Sequence, residues 1–118
     1  MIRLECCSIS DIESSTNMAE VLAEYAAEGA IPEIGTPDPQ WATYRAMEAS
    51  GLFHSVGAFD GRRLVGLLFF IVAPLPHYGV RTATVESFFV LKEYRTANVG
   101  LKLLAACKEI AREKEAKA

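Results

Sequence analysis

The sequence predicts an α/β domain, a mixed and mostly antiparallel sheet flanked by helices, built as one unit over residues 1–118. Three observations lead to that reading. Segments patterned as strands and helices follow one another as strand, two helices, three strands and a helix. The dipeptide Asp60-Gly61 separates two apolar, β-rich runs, a strong hairpin signal. The stretch from Val85 to Leu104 starts with strand character and finishes with helical spacing, joined by a short loop, Glu93 to Asn98.

Taken in order, Met1 to Ser8 reads as a first strand, with Ile2 and Leu4 alternating against Arg3 and Glu5. Ser10 to Glu13 matches a capping box, so a helix is expected to open there. Met18, Val21, Leu22, Tyr25 and Ala26 give that helix one apolar stripe, and Gly29 ends it. A loop containing Gly and Pro follows from Ala30 to Pro37. Asp38 as cap and Pro39 at the first helical position predict a second helix, which presents Trp41, Tyr44 and Met47 and closes at Gly51. Leu52 to Phe59 and Leu64 to Ala73 are the hairpin strands, and Pro74 and Pro76 are expected to break the second. Pro74 to Arg81 then connects to a third strand, Thr82 to Leu91. In the last helix Leu101, Leu104, Ala105 and Ile110 recur at helical spacing. The sequence reaches Ala118 where that helix is expected to end.

Composition narrows the function classes. The chain of 118 residues is 51% apolar and 23% charged, as soluble domains are. A net charge of −3 with no basic stripe argues against nucleic acid as a partner. No apolar run is long enough to span a membrane, since Leu64 to Pro74 is the longest. The first residues carry no signal-peptide pattern, and a cytoplasmic location is the default expectation. Cys6 and Cys7, adjacent on a strand, would point to opposite faces and make a poor metal pair. With Cys107 they read as buried, reduced thiols; no Cys/His cluster has ligand spacing, and no metal is implied.

Val85 to Leu104 carries the chemistry. A strand, a tight turn and a helix N-terminus make an anion site, because the first helical amides are unpaired and the dipole there is positive. Glu86 is the single acidic residue inside the apolar part of the strand, and its expected burial suits a general base. The residue order resembles the GNAT superfamily of acyl-CoA-dependent N-acetyltransferases. That signature runs acidic–x–hydrophobic–x–Val–x–x–x–Tyr–Arg, then x–x–Gly–x–Gly/Ala at the start of a helix. Glu86, Phe88, Val90, Tyr94 and Arg95 occupy the first slots, followed by Thr96, Ala97, Asn98, Val99 and Gly100. Asn98 replaces the first glycine, and Asn tolerates positive φ better than most residues.

The resemblance implies a GNAT-like fold and transfer of an acetyl group from acetyl-CoA (coenzyme A) to a primary amine. The acceptor is either a small molecule or a protein. Glu86 would be the base, acting directly or through a water. A bulge in the signature strand would free the Val90 amide, with Phe89 beside it, for the thioester and pantetheine. Arg95, Thr96, Ala97, Asn98, Val99 and Gly100 would hold the pyrophosphate. Trp41 and Tyr44 would wall the acceptor pocket. His77, in the long connection beside the signature strand, is a further candidate acceptor contact by its position in the chain. The family's C-terminal strands are expected to be absent, leaving an open sheet edge that invites a homodimer. The alternative is a non-catalytic GNAT-like module that binds CoA or another protein.

Overall fold

The structure, a computed structural model, describes residues 2–29, 31–35 and 37–117, with Ala97 described by its backbone alone. Met1, expected to start the first strand, and Ala30 and Thr36, in the expected loop, lie outside the described residues. Strand β1 (Ile2–Cys7) leads into a short helix α1 (Ile9–Glu13), then α2 (Met18–Gly29) and α3 (Trp41–Ala49). Strands β2 (Phe53–Asp60), β3 (Arg63–Leu75) and β4 (Val80–Val90) follow. A 3-10 helix (Lys92–Ala97), helix α4 (Val99–Glu113) and a two-residue strand β5 (Ala116–Lys117) complete the chain. The strands lie in the order β1-β2-β3-β4-β5, antiparallel throughout except that β5 runs parallel to β4. This is the expected α/β architecture.

Several boundaries differ from the sequence reading. The first capping box belongs to Ser8: its hydroxyl accepts from the Asp11 amide and the Asp11 carboxylate accepts from the Ser8 amide. The expected single helix is therefore two, α1 and α2. The α3 cap is Gln40, not Asp38; Gln40 makes no side-chain cap and donates instead to Asp38. Pro74 does not stop β3 but pairs with Arg81. By that point β3 has outrun β2, whose pairing ends at Ile71, and a proline is tolerated along an edge. The last helix ends at Glu113 and the chain then pairs in parallel with Arg81 and Thr82, which the helical pattern did not reveal.

The sheet is covered on both sides. On one face Val99, Leu103, Cys107 and Ala111 of α4 are buried against the strands. Gly66 makes this approach possible, since a Cβ there would stand 3.1 Å from Leu103 and 3.2 Å from Val99. On the other face Ile12 of α1 reaches over Gly57, whose neighbour across the sheet is Leu67. Phe53, Leu64, Leu68, Phe70 and Leu91 are fully buried between these layers. The core thus fixes β3 and β4, and the site is built on β4.

Candidate active site on strand β4

Strand β4 carries one extra residue. Phe69 pairs with Ser87 and Phe70 with Val85, so Glu86 forms a bulge, and bulges re-aim side chains. The result corrects the sequence expectation twice. Glu86 is exposed rather than buried, and the bulge lies at Glu86 rather than at Val90, which pairs with Gly66 in the ladder. The bulge turns the Glu86 carboxylate toward α3, where the Tyr44 hydroxyl donates to both oxygens at 3.0 Å. The neighbouring Ser87 hydroxyl, itself nearly buried, donates to the same carboxylate. Burial, reinforced by the Glu86 charge against a Ser87 hydrogen bond, pushes the Tyr44 hydroxyl up to about 12. Tyr44 is therefore a protonated donor at any ordinary pH.

Glu86 stands on the wall of a cleft of about 590 Å³. Trp41, Tyr44, Tyr25, Leu67 and Phe69 line it as well. Trp41 meets Tyr44 edge-on at 6.0 Å, and Tyr44 packs on Phe53 at 4.9 Å and Phe69 at 5.3 Å. The two α3 aromatics singled out in the sequence thus share the cleft with Glu86. His77 does not: it sits in the β3–β4 turn, against Tyr78 at 4.9 Å, and is no part of the cleft lining.

A second pocket, of about 300 Å³, lies where β4 meets the start of α4, lined by Phe88, Phe89, Val90, Arg95, Gly100 and Glu28. The Leu91 amide donates to Val65 at 2.8 Å, so by antiparallel alternation the Val90 amide and carbonyl point away from β3. The Val90 carbonyl accepts from Arg95 Nε at 3.0 Å, which confirms that direction. Beyond Thr82, that side of β4 has no strand partner among the described residues. Asn98 adopts φ 60° and ψ 19°, the left-handed conformation that its side chain tolerates, and turns the chain into α4. Its side chain makes no cap, so the first α4 amides keep no side-chain acceptor. A Cβ on Gly100 would stand 3.3 Å from the Phe88 ring, a tight contact that glycine avoids at this helix mouth. Thr96, Asn98 and Val99 are not among the residues that line this pocket: Val99 is wholly buried, Thr96 and Asn98 are exposed, and the Ala97 side chain lies outside the described residues.

Glu28 was not foreseen. Arg95 lies over the Phe89 ring at 5.6 Å and gives a hydrogen bond of 2.6 Å to Glu28. Phe89 also stacks parallel to Tyr25 of α2 at 5.1 Å. Glu20, Glu24 and Glu28 recur every fourth residue along α2. They meet Arg63, the Lys92 amide and Arg95 in turn. That spacing was the available signal, and it reads equally as a solvated helix face.

The sequence matches the profile of the Acetyltransferase (GNAT) family over residues 17–118. The chain belongs to the GNAT family. Comparison with curated proteins gives no match. Among solved structures, this GNAT chain is similar to a ribosomal-protein-alanine N-acetyltransferase from Brucella melitensis biovar Abortus 2308. The TM-score is 0.72 at 21% identity, over 98% of this chain and 75% of that one. It is similar to an aminoglycoside acetyltransferase from an uncultured soil metagenomic sample, in complex with sisomicin, with a TM-score of 0.75 at 15% identity, over 98% and 73%. A predicted acetyltransferase from Clostridium acetobutylicum, solved with acetyl-CoA, gives 0.71 at 12% identity, over 98% and 77%. At these identities the likeness establishes the fold.

Other features of the GNAT chain serve structure. Tyr94, in the signature Tyr-Arg pair, donates to Asp60 at 2.7 Å under the Arg63 guanidinium and pins the 3-10 helix to the hairpin. Cys6 is exposed, against the expectation of three buried thiols; Cys7 is half-buried and Cys107 buried. Burial, with the Asp11 charge adding, pushes the Cys7 thiol up to about 12. No helix among the described residues is long and apolar enough to cross a membrane.

Proposed function

We propose that the protein is an N-acetyltransferase that moves an acetyl group from acetyl-CoA to a primary amine. One observation carries the reading. Five consecutive residues of β4 serve two pockets, Glu86 and Ser87 the aromatic cleft, Phe88 to Val90 the space at the α4 mouth. Donor and acceptor sites so joined hold two reactants in line along one strand.

The residues fit acetyl-CoA, which supplies the activated acyl group. The uncapped first amides of α4 would hold its diphosphate, with Gly100 leaving room for close approach. The outward Val90 amide would donate to the charge that develops on the carbonyl oxygen during attack. Glu86 would take the proton from the acceptor ammonium, directly or through a water, while Tyr44 and Ser87 hold its carboxylate in place.

Two observations favour the second reading, a non-catalytic CoA-binding or interaction module. Glu28 already engages Arg95, and the Phe88 ring rests against Gly100. Mass spectrometry of amine mixtures incubated with protein and acetyl-CoA separates the two. The proposal expects acetylated amine, and Glu86→Gln should lower turnover by about two to four orders of magnitude with CoA affinity retained. CoA binding without transfer to any amine would leave only the second reading.

A further inference from the structure

We infer that the acceptor is a cationic amine joined to an aromatic or branched apolar body and carrying no carboxylate or phosphate. The inference rests on the transferase reading and adds the substrate class. Its basis is the charge of the cleft. Glu86 and Asp38 are its charged lining residues, and no Lys, Arg or His lines it among the described residues. Glu86 is held by neutral donors, the hydroxyls of Tyr44 and Ser87, and forms no ion pair among the described residues. Arg81, on the same strand, donates to the Lys114 carbonyl at 2.9 Å. Asp38 is likewise satisfied by a neutral amide, that of Gln40. Two carboxylates without a counter-cation favour an ammonium and repel a second anion brought alongside.

The apolar part of the ligand is read from the rest of the wall. Trp41, Tyr25, Tyr44 and Phe69 offer ring faces and edges suited to an aromatic body and to a nearby cation. The rim continues this surface. Ile31 and Gly35 bridge across a tight turn, with Gly35 at φ +113°, and leave the Ile34 side chain 82% exposed at the cleft mouth. An isoleucine held in water beside an aromatic cleft is surface that an apolar ligand body would cover.

The test is direct binding by calorimetry without acetyl-CoA, using 2-phenylethylamine, phenylalaninamide, phenylalanine and ethanolamine. At mildly acidic pH, where both amines are protonated, phenylalaninamide and phenylalanine differ in little but the carboxylate charge, so size is controlled. The cationic aromatic pair should bind at least about tenfold tighter than phenylalanine and than ethanolamine. In Glu86→Gln and in Asp38→Asn the gap to phenylalanine should narrow. In Trp41→Ala the gap to ethanolamine should narrow. Equal or reversed preference in the wild type, or an unchanged gap in both carboxylate variants, overturns the inference. Acetylation of other amines by the same protein once acetyl-CoA is supplied, read by mass spectrometry, would then still support the transferase. The expected ranking without any transfer would keep the ligand class and remove the enzyme.

Discussion

Replacing Tyr44 by Phe isolates what its hydroxyl does for Glu86. The ring keeps its contacts with Phe53 at 4.9 Å, Phe69 at 5.3 Å and Trp41 at 6.0 Å, so packing is preserved. What disappears is one O–H shared between the two carboxylate oxygens at 3.0 Å. A hydrogen bond to a charged group contributes about 1.5–3 kcal/mol, and the exposure of Glu86 favours the low end. If that bond sets the carboxylate for proton removal, losing about 1.4 kcal/mol of orientation lowers kcat about tenfold. The Ser87 hydroxyl remains as a second restraint, which keeps the loss from being larger. Steady-state kinetics with acetyl-CoA and a cationic aromatic amine give the answer, alongside a melting curve. The expected pattern is a fall in kcat, little change in the KM for acetyl-CoA, and a shift in Tm of no more than about 6 °C. An unchanged kcat would show that Tyr44 does not position the base. A large loss of Tm would show that its role is packing.

Two further predictions concern other groups. Glu28→Gln removes the carboxylate that holds Arg95 at the α4 mouth, so affinity for CoA should rise by about threefold or more, most clearly at low salt; an unchanged or weaker Kd by calorimetry would remove Glu28 from the donor site. The Cys7 thiol and the Tyr44 hydroxyl are both pushed up to about 12 in the fold, from ordinary values of 9.0 and 10.0. Between those ordinary values and 12 the unfolded chain has lost protons that the folded chain keeps, so stability is intact below about pH 9 and falls as pH rises from there. Denaturant melts from pH 8 to 11 should show that decline, and Cys7→Ala should make it shallower; a flat profile would contradict it.

Much of this was legible in the sequence because the signals were local. The Asp60-Gly61 dipeptide marks the β2–β3 hairpin and the apolar run marks β4, but the stripe expected on the last helix is misplaced: Leu101 and Ala105 are exposed, and the buried face of α4 is Val99, Leu103, Cys107 and Ala111. Asn98 is readable as a left-handed turn from its residue type alone. Glu86, Trp41 and Tyr44 are legible as candidates from residue type and position, and the fold brings them to one cleft. The failures have a common cause, which is tertiary pairing. The Glu86 bulge depends on the register of β3, so no pattern within β4 distinguishes it from a bulge at Val90 or predicts that Glu86 is exposed. Glu28 and Arg95 are distant in sequence, and an acidic helix face looks the same whether it meets water or a guanidinium. His77 was chosen for proximity in the chain, and the hairpin carries it to a turn that does not border the cleft. The sequence pattern points to Ser10 as the cap, but Ile9 and Ile12 pack into the core and the helix starts at Ile9, which leaves Ser8 as the cap.

Calorimetric titration of CoA into the wild type and Gly100→Trp tests the central claim most directly, with circular dichroism to verify the fold. The account predicts a Kd in the micromolar range for the wild type and at least about tenfold weaker binding for the variant, whose indole would fill the mouth of α4 beside Phe88. Absence of CoA binding by the wild type, or equal affinity in a folded variant, would contradict it.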